Sequence, residues 1–266
     1  MTPKRISDEL WKRIKPLLPK KKSPTKKGGR PRIDDRLVLE VILFVLETGI
    51  PWRFVREHQF GCSRMTAWRR IKEWQDAGVW EELHRILLED LQRRGRIRWS
   101  HGAVDSSSIR ALEGGDKTGK NPTDRSRLGT KHHVLVDGKG VPLALRITGA
   151  NRHDVTQIIP LVEDVPAVRG KRGRPRKRLK KLYADRAYDS EEIRKVLRSM
   201  KIAPYLAKRR TRHGSGLGKK RWVVERTISW LHSFRRLRIR WERRGDIHMA
   251  FLTLAACIIC LRFLFQ

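Results

Sequence analysis

Two carboxylates close apolar runs that read as strands. "GAVDSSS" places Asp105 at the end of one, and "LYADRAYDS" places Asp185 at the end of another. Acids at strand ends of an α/β sheet lie where ligands usually bind. A lone strand-end Asp is more often a cap or turn residue, but a pair of them has a chemical consequence. Adjacent carboxylates repel and raise one another's pKa unless a cation sits between them. Mg²⁺ suits such a site, because it takes oxygen ligands and keeps waters that can become nucleophiles. Glu225 is the candidate third acid. In "RWVVERTISWLHSF", Arg221, Glu225 and His232 fall at offsets of four and seven, on one helical face. The same spacing also describes an ordinary surface ion pair between Arg221 and Glu225.

The remaining acids have simpler readings. Asp189 opens a helix with Ser190, Glu191 and Glu192 behind it, and Asp154 precedes a helix that it would cap. Asp137 belongs to a hairpin turn. Asp116 and Asp124 sit in the Gly-rich, basic loop "EGGDKTGKNPTDRSRLGT", expected to be mobile and near substrate, which lacks P-loop spacing. His132 and His133 lie on a strand, so they face opposite sides. No Arg/His constellation surrounds any of the three Tyr, which argues against a tyrosine recombinase, and no base can be assigned to Ser106–Ser108.

The elements that must position these residues fall into two groups. Residues 1–95 read as an all-helical, helix-turn-helix-like DNA-binding domain. Ser7 caps a first helix; a basic, Pro/Gly-rich linker, "KKKSPTKKGGRPR", follows. From Asp35 apolar residues recur at helical spacing until Gly49, Ser63 caps "RMTAWRRIKEW", and a fourth helix begins near Val79. The capped basic helix is the candidate recognition helix, with Arg64, Arg69, Arg70 and Lys72 as DNA contacts. Residues 96–266 alternate in α/β order: three strands, helix, strand, helix, strand and two closing helices. A second basic run, "RGKRGRPRKRLKK", offers Arg172, Arg174 and Arg176 to a minor groove or to phosphates.

Composition narrows the partner. Lys plus Arg number 62 against 28 acids, a formal charge of +34, and nucleic acid is the natural counterpart because phosphate contacts release condensed counterions. Apolar residues at 39% and nine Trp argue for a packed globular chain. Cys62, Cys257 and Cys260 read as buried thiols of a reducing cytoplasm. Met249–Phe265 is apolar but contains Arg262 and falls short of the ~20 residues a span needs, so it is expected to be a core helix and no membrane partner is expected.

Six stretches in order, "SDELWKRIKPLLP", "GRPRIDDRLVLEVILFVLETGIPWR", "VDSSSIRA", "GTKHHVLVDGKGVPLALRITGANRHD", "LYADRAYDS" and "RWVVERTISWLHSFRRLRIRWER", resemble bacterial insertion-sequence transposases of the DDE superfamily, in the insertion-sequence-five group. The resemblance implies an RNase H-like mixed sheet flanked by helices in the catalytic domain. It implies two Mg²⁺ ions, with Mn²⁺ as a substitute, held by Asp105, Asp185 and Glu225, which are 80 and 40 residues apart. It further implies double-stranded DNA as partner, at terminal inverted repeats and target, cleavage and strand transfer, a homodimer or larger assembly on DNA, and a cytoplasmic location at the nucleoid. Around the third acid the family pattern is Tyr-x2-Arg-x3-Glu-x6-Lys/Arg. Arg221 and Glu225 match it, while Gly218 replaces the Tyr and His232 the basic residue expected to meet DNA. A structure-selective nuclease of the same fold and an inactive DNA-binding regulator are the alternatives.

Overall fold

Gly102–Ala111 forms β1, the strand around which the sheet is organised. A computed structural model of the chain describes residues 6–20, 31–170, 172–210 and 216–266. β1 pairs antiparallel with β3 (Leu128–Asp137), which pairs antiparallel with β4 (Pro142–Gly149). On its other side β1 runs parallel to β5 (Lys181–Ala184), and β5 runs parallel to β6 (Ala203–Leu206). Short β2 (Gly119–Lys120) and β7 (Ile239–Arg240) extend β3 and β1. Three antiparallel strands followed by two parallel ones make the mixed, RNase H-like sheet that the resemblance implied.

The β3–β4 hairpin forms where expected. The buried Asp137 carboxylate accepts the backbone N–H groups of Lys139 and Val141 at 2.8 Å and of Arg98 at 2.6 Å. Gly140 adopts φ +91°, and a Cβ there would lie 3.0 Å from the Thr227 hydroxyl, so glycine lets helix α8 (Gly218–Ser233) settle on the turn.

Among the described residues five α-helices precede the sheet: α1 (Asp8–Ile14), α2 (Asp35–Thr48), α3 (Glu57–Phe60), α4 (Arg64–Asp76) and α5 (Val79–Arg93). The Ser7 hydroxyl caps α1, the Ser63 hydroxyl caps α4, and Gly49 ends α2 at φ +71°. The N-cap of α2 is Asp34; Asp35 turns inward instead. Most of the expected linker, residues 21–30, lies outside the described residues.

Arg70 corrects an expectation. It shares the buried face of α4 with Ala67, Ile71 and Trp74, and its guanidinium pairs with Asp35 across the interface with α2. Burial assigns it to holding two helices together, not to a DNA-facing surface.

Between β4 and β6 lie α6 (Ile158–Glu163) and α7 (Glu191–Ser199), and the chain closes with α8 and α9 (Gly245–Phe265). α9 starts four residues before the expected stretch and is mostly buried, packed on α4, α5 and β4. Its apolar character is explained by that burial within protein. Cys257 and Cys260 sit on it as buried free thiols, pushed above their ordinary pKa by burial. Because α9 returns to α5, one continuous interior runs from the N-terminal helices into the sheet.

Candidate active site

Parallel pairing of β1 with β5 sets Ala103 beside Tyr183. Two residues further along come Asp105, which lies within β1 and not at its end as expected, and Asp185, one residue past the end of β5. The Asp105 carboxylate, 19% exposed, accepts its neighbour Ser106's N–H at 2.8 Å. Asp185 follows the last residue of β5 and caps the short 3₁₀ turn Arg186–Tyr188, accepting the Ala187 N–H at 2.9 Å. The turn reading and the site reading of Asp185 are therefore compatible, since one oxygen suffices for the cap.

α8 crosses the same face of β1. Arg221 sends Nη2 to within 3.4 Å of Asp105 and 3.6 Å of Glu225, so one guanidinium joins the strand acid to the helix acid. The local ion pair predicted from spacing exists, but it forms part of a three-residue arrangement that spacing alone did not reveal. Burial pushes the Asp105 carboxyl up to about 6; Asp185 and Glu225 add to that rise, while the Ser106 N–H and Arg221 oppose it.

These residues suit a hard divalent cation in chemistry. All three candidates are carboxylates, and the buried one carries an electrostatic penalty that a cation would relieve. Among the described residues no three His, Cys, Asp or Glu groups already stand around one point at ligand spacing. Glu225, 59% exposed, is turned toward Arg221.

The opposite face of β1 carries an arrangement that the sequence did not disclose. Asp154 was expected to cap a helix; instead His153 occupies that position and Asp154 reaches back to the sheet. It accepts the Ser106 hydroxyl at 2.7 Å and the Lys131 ammonium at 3.0 Å, with His133 Nδ1 at 3.8 Å. Burial pushes the Tyr188 phenol well up; Asp154, Asp105 and Asp185 add to that, while the Ser106 hydroxyl opposes it. Alternation along β1 and β3 was the available signal, because Ser106 and Lys131 share that face.

Asp189 differs from its expectation. Ser190 caps α7 through its hydroxyl, while Asp189 pairs with Arg194 at 2.6 Å and accepts the Arg209 N–H at 2.7 Å. Asp116 and Asp124, expected in a mobile loop, are tied down: Asp116 accepts the Gly245 N–H at 2.7 Å, and Asp124 binds Arg110. His232 turns inward, its ring edge-on to His132 at 5.8 Å and its buried Nε2 without a partner among the described residues.

Arg64 and Arg69 are exposed on α4, and Lys72 on the same helix pairs with Asp76. Arg172, Arg174 and Arg176 are exposed, with only the Arg176 backbone engaged, in a bridge to Val168. None of these touches the acids; they form separate basic surfaces.

Two protein families match the chain. Residues 99–260 match the family described as "Transposase DDE domain", which spans β1, β5 and α8. The chain belongs to the DDE-domain transposases. Residues 6–84 of this transposase match a second family, "Putative transposase of IS4/5 family". It is 62% identical over 147 residues to a "Putative transposase for insertion sequence element IS402" of Burkholderia cepacia, covering 55% of the chain and 70% of that protein. A 16.2 kDa protein of the same B. cepacia element is 49% identical over 119 residues, 44% of the chain and 80% of that protein. Among solved structures, a pre-cleavage Mos1 transpososome is similar over 91% of the chain and 80% of its own, with 13% identity and a TM-score of 0.28. Membership of the DDE family implies dependence on a divalent metal ion.

Proposed function

We propose that this insertion-sequence transposase binds double-stranded DNA at terminal inverted repeats and carries out strand cleavage and strand transfer with Asp105, Asp185 and Glu225 as its catalytic acids. The observation that carries the reading is that Arg221 joins Asp105 of β1 to Glu225 of α8, while parallel pairing sets Asp185, just past β5, beside Asp105. Two Mg²⁺ ions, or Mn²⁺, held by these carboxylates would activate the attacking hydroxyl and neutralise the leaving oxygen of an in-line displacement.

The chain's own residues prepare that chemistry. The Ser106 N–H holds one Asp105 oxygen, and the Ala187 N–H holds one of Asp185, which limits the rotamers that both acids explore. Arg221 balances the clustered negative charge and lies where it can take a DNA phosphate when Glu225 turns toward the site. Arg64, Arg69 and Lys72 on α4 serve end recognition, and Arg172, Arg174 and Arg176 serve the flanking backbone. Pairing of two ends calls for a homodimer or larger assembly, working in the cytoplasm on the nucleoid.

Joining separates this reading from a nuclease. With a pre-cut end bearing a 3′-OH, target DNA and Mg²⁺, the transposase is expected to produce covalently joined strands; hydrolysis without joining would overturn the assignment.

Asp154 is expected to act as a positioning residue. Asp154→Asn keeps an acceptor for Ser106 but removes the charge facing Lys131. Cleavage should fall roughly 10–100-fold, with the half-saturating Mg²⁺ concentration raised and DNA binding unchanged. Unaltered Mg²⁺ dependence would show that the Ser106–Asp154 contact serves stability alone.

A further inference from the structure

Beside the acids, on the same face of the sheet, two tyrosines form a shelf that the reaction described above does not use. Tyr183 of β5 and Tyr205 of β6 are register partners, and their rings stack at 4.9 Å with planes 20° apart. His101, just before β1, stands edge-on against Tyr183 at 5.9 Å. Tyr183 is 8% exposed, whereas Tyr205 is 39% exposed, so the stack ends in a ring open to solvent. Lys181 Nζ lies 5.5 Å from the Tyr205 ring centre. Burial holds His101 below its ordinary pKa, and Lys220, Arg98 and Lys181 push the same way, so three cations surround this end of the shelf. No carboxylate pairs with Lys181 or Lys220 among the described ion pairs.

Tyr183 precedes Asp185 by two residues, a distance of about 6.6 Å along a strand. The shelf therefore begins within one or two nucleotides of the acids. Stacked aromatic rings flanked by Lys and Arg are what unpaired nucleotides require: a π-face for the base and cations for the phosphates. A duplex keeps its bases stacked on each other and offers an exposed ring little, while an acidic peptide would not use the stacked rings. We propose that Tyr205, Tyr183 and Lys181 form a binding site for unpaired DNA bases adjoining the cleaved bond, with Tyr205 as the stacking surface. The proposal rests on the reading that the acids act on DNA, and extends it to the state of the strand at the cut.

The test uses the full chain and a duplex of the element's own end, either blunt at the cut or extended by three unpaired nucleotides, with 2-aminopurine at each unpaired position in turn. The extension should tighten binding about tenfold, within the range for stacking one base on an aromatic ring. Fluorescence should be quenched at the first or second unpaired base only. Tyr205→Ala should abolish both effects and leave blunt-duplex binding unchanged, while Tyr205→Phe should retain them. Tyr205 is solvent-facing, so its removal spares the core; Lys181→Gln, also exposed, should lower the gain from the extension without ending the quenching. Equal gain in Tyr205→Ala, or quenching independent of position, would overturn the proposal, as would equal gain from a duplex with abasic unpaired sites. Failure to bind even the blunt end would instead count against the transposase reading.

Discussion

Replacing Asp105 by Asn is expected to reduce strand cleavage by more than about 10³-fold, beyond what losing a single transition-state donor typically costs, while the protein becomes more stable. The two effects share one cause. Asp105 is a largely buried carboxylate whose pKa is pushed up to about 6 by burial, with Asp185 and Glu225 adding to the rise. Between its unfolded value near ~4 and that folded value, the native state holds the proton more tightly, so stability falls as pH rises through this window and stays reduced above it. Asn removes that charge. At pH 7 the metal-free variant should gain up to about 3 kcal/mol, and at about pH 2 nothing, because the wild-type carboxyl is then protonated in both states. Divalent cation should reverse the order by stabilising the wild type and not the variant. Melting curves at both pH values, with and without Mg²⁺, check this. A variant that loses stability at pH 7, or that retains metal-induced stabilisation, would remove Asp105 from the proposed site.

The largest effect on stability is expected at Glu242, far from the acids. Its carboxylate is 4% exposed and binds Arg236, 2% exposed, at 2.6 Å. Arg236 also donates to the Ile50 carbonyl at 2.9 Å, tying the end of α2 to the segment before α9. On the other side Glu242 lies 3.6 Å from His248, whose Nε2 meets His132 Nε2 of β3 at 2.8 Å. Glu242→Ala leaves a buried guanidinium without a counter-charge and should cost about 3–5 kcal/mol. The double change Arg236→Met, Glu242→Leu should recover most of that loss, since neither charge remains to be compensated. Burial alone would raise the Glu242 pKa, but His248 and Arg236 outweigh it and hold it low. The contribution is thus present at neutral pH and is lost as pH falls through the folded value. Equal instability of single and double variants, measured by denaturant unfolding, would mean that shape rather than charge governs the site.

The features legible in the sequence are those made by neighbours along the chain. The caps by Ser7 and Ser63, the stop at Gly49 and the Asp137 turn depend on contacts three or four residues apart, as does the placing of Arg221 and Glu225 on one side of α8. Asp105 and Asp185 were also visible, because an Asp after an apolar run interrupts a pattern, although β1 continues past Asp105 to Ala111. The DDE resemblance then assigned those acids a shared role across spacings that no local rule connects. Arg70 and His232 show the opposite case: their types suggested solvent and phosphate, and burial against Asp35 and His132 decided otherwise.

By itself, then, the sequence determined where the longer helices lie, where the β3–β4 turn falls and that the chain is strongly basic, with 62 Lys and Arg against 28 acids. Only the tertiary structure decided that β1 and β5 lie side by side and parallel, which brings Asp105 and Asp185 together across 80 residues. It also decided that Asp154 braces β1 from behind and that Tyr205 continues the face of the acids. The physical reason is that capping and periodicity are settled by energies within one turn of chain. Strand neighbours are settled by burying the whole sheet at once, and no short segment encodes that choice.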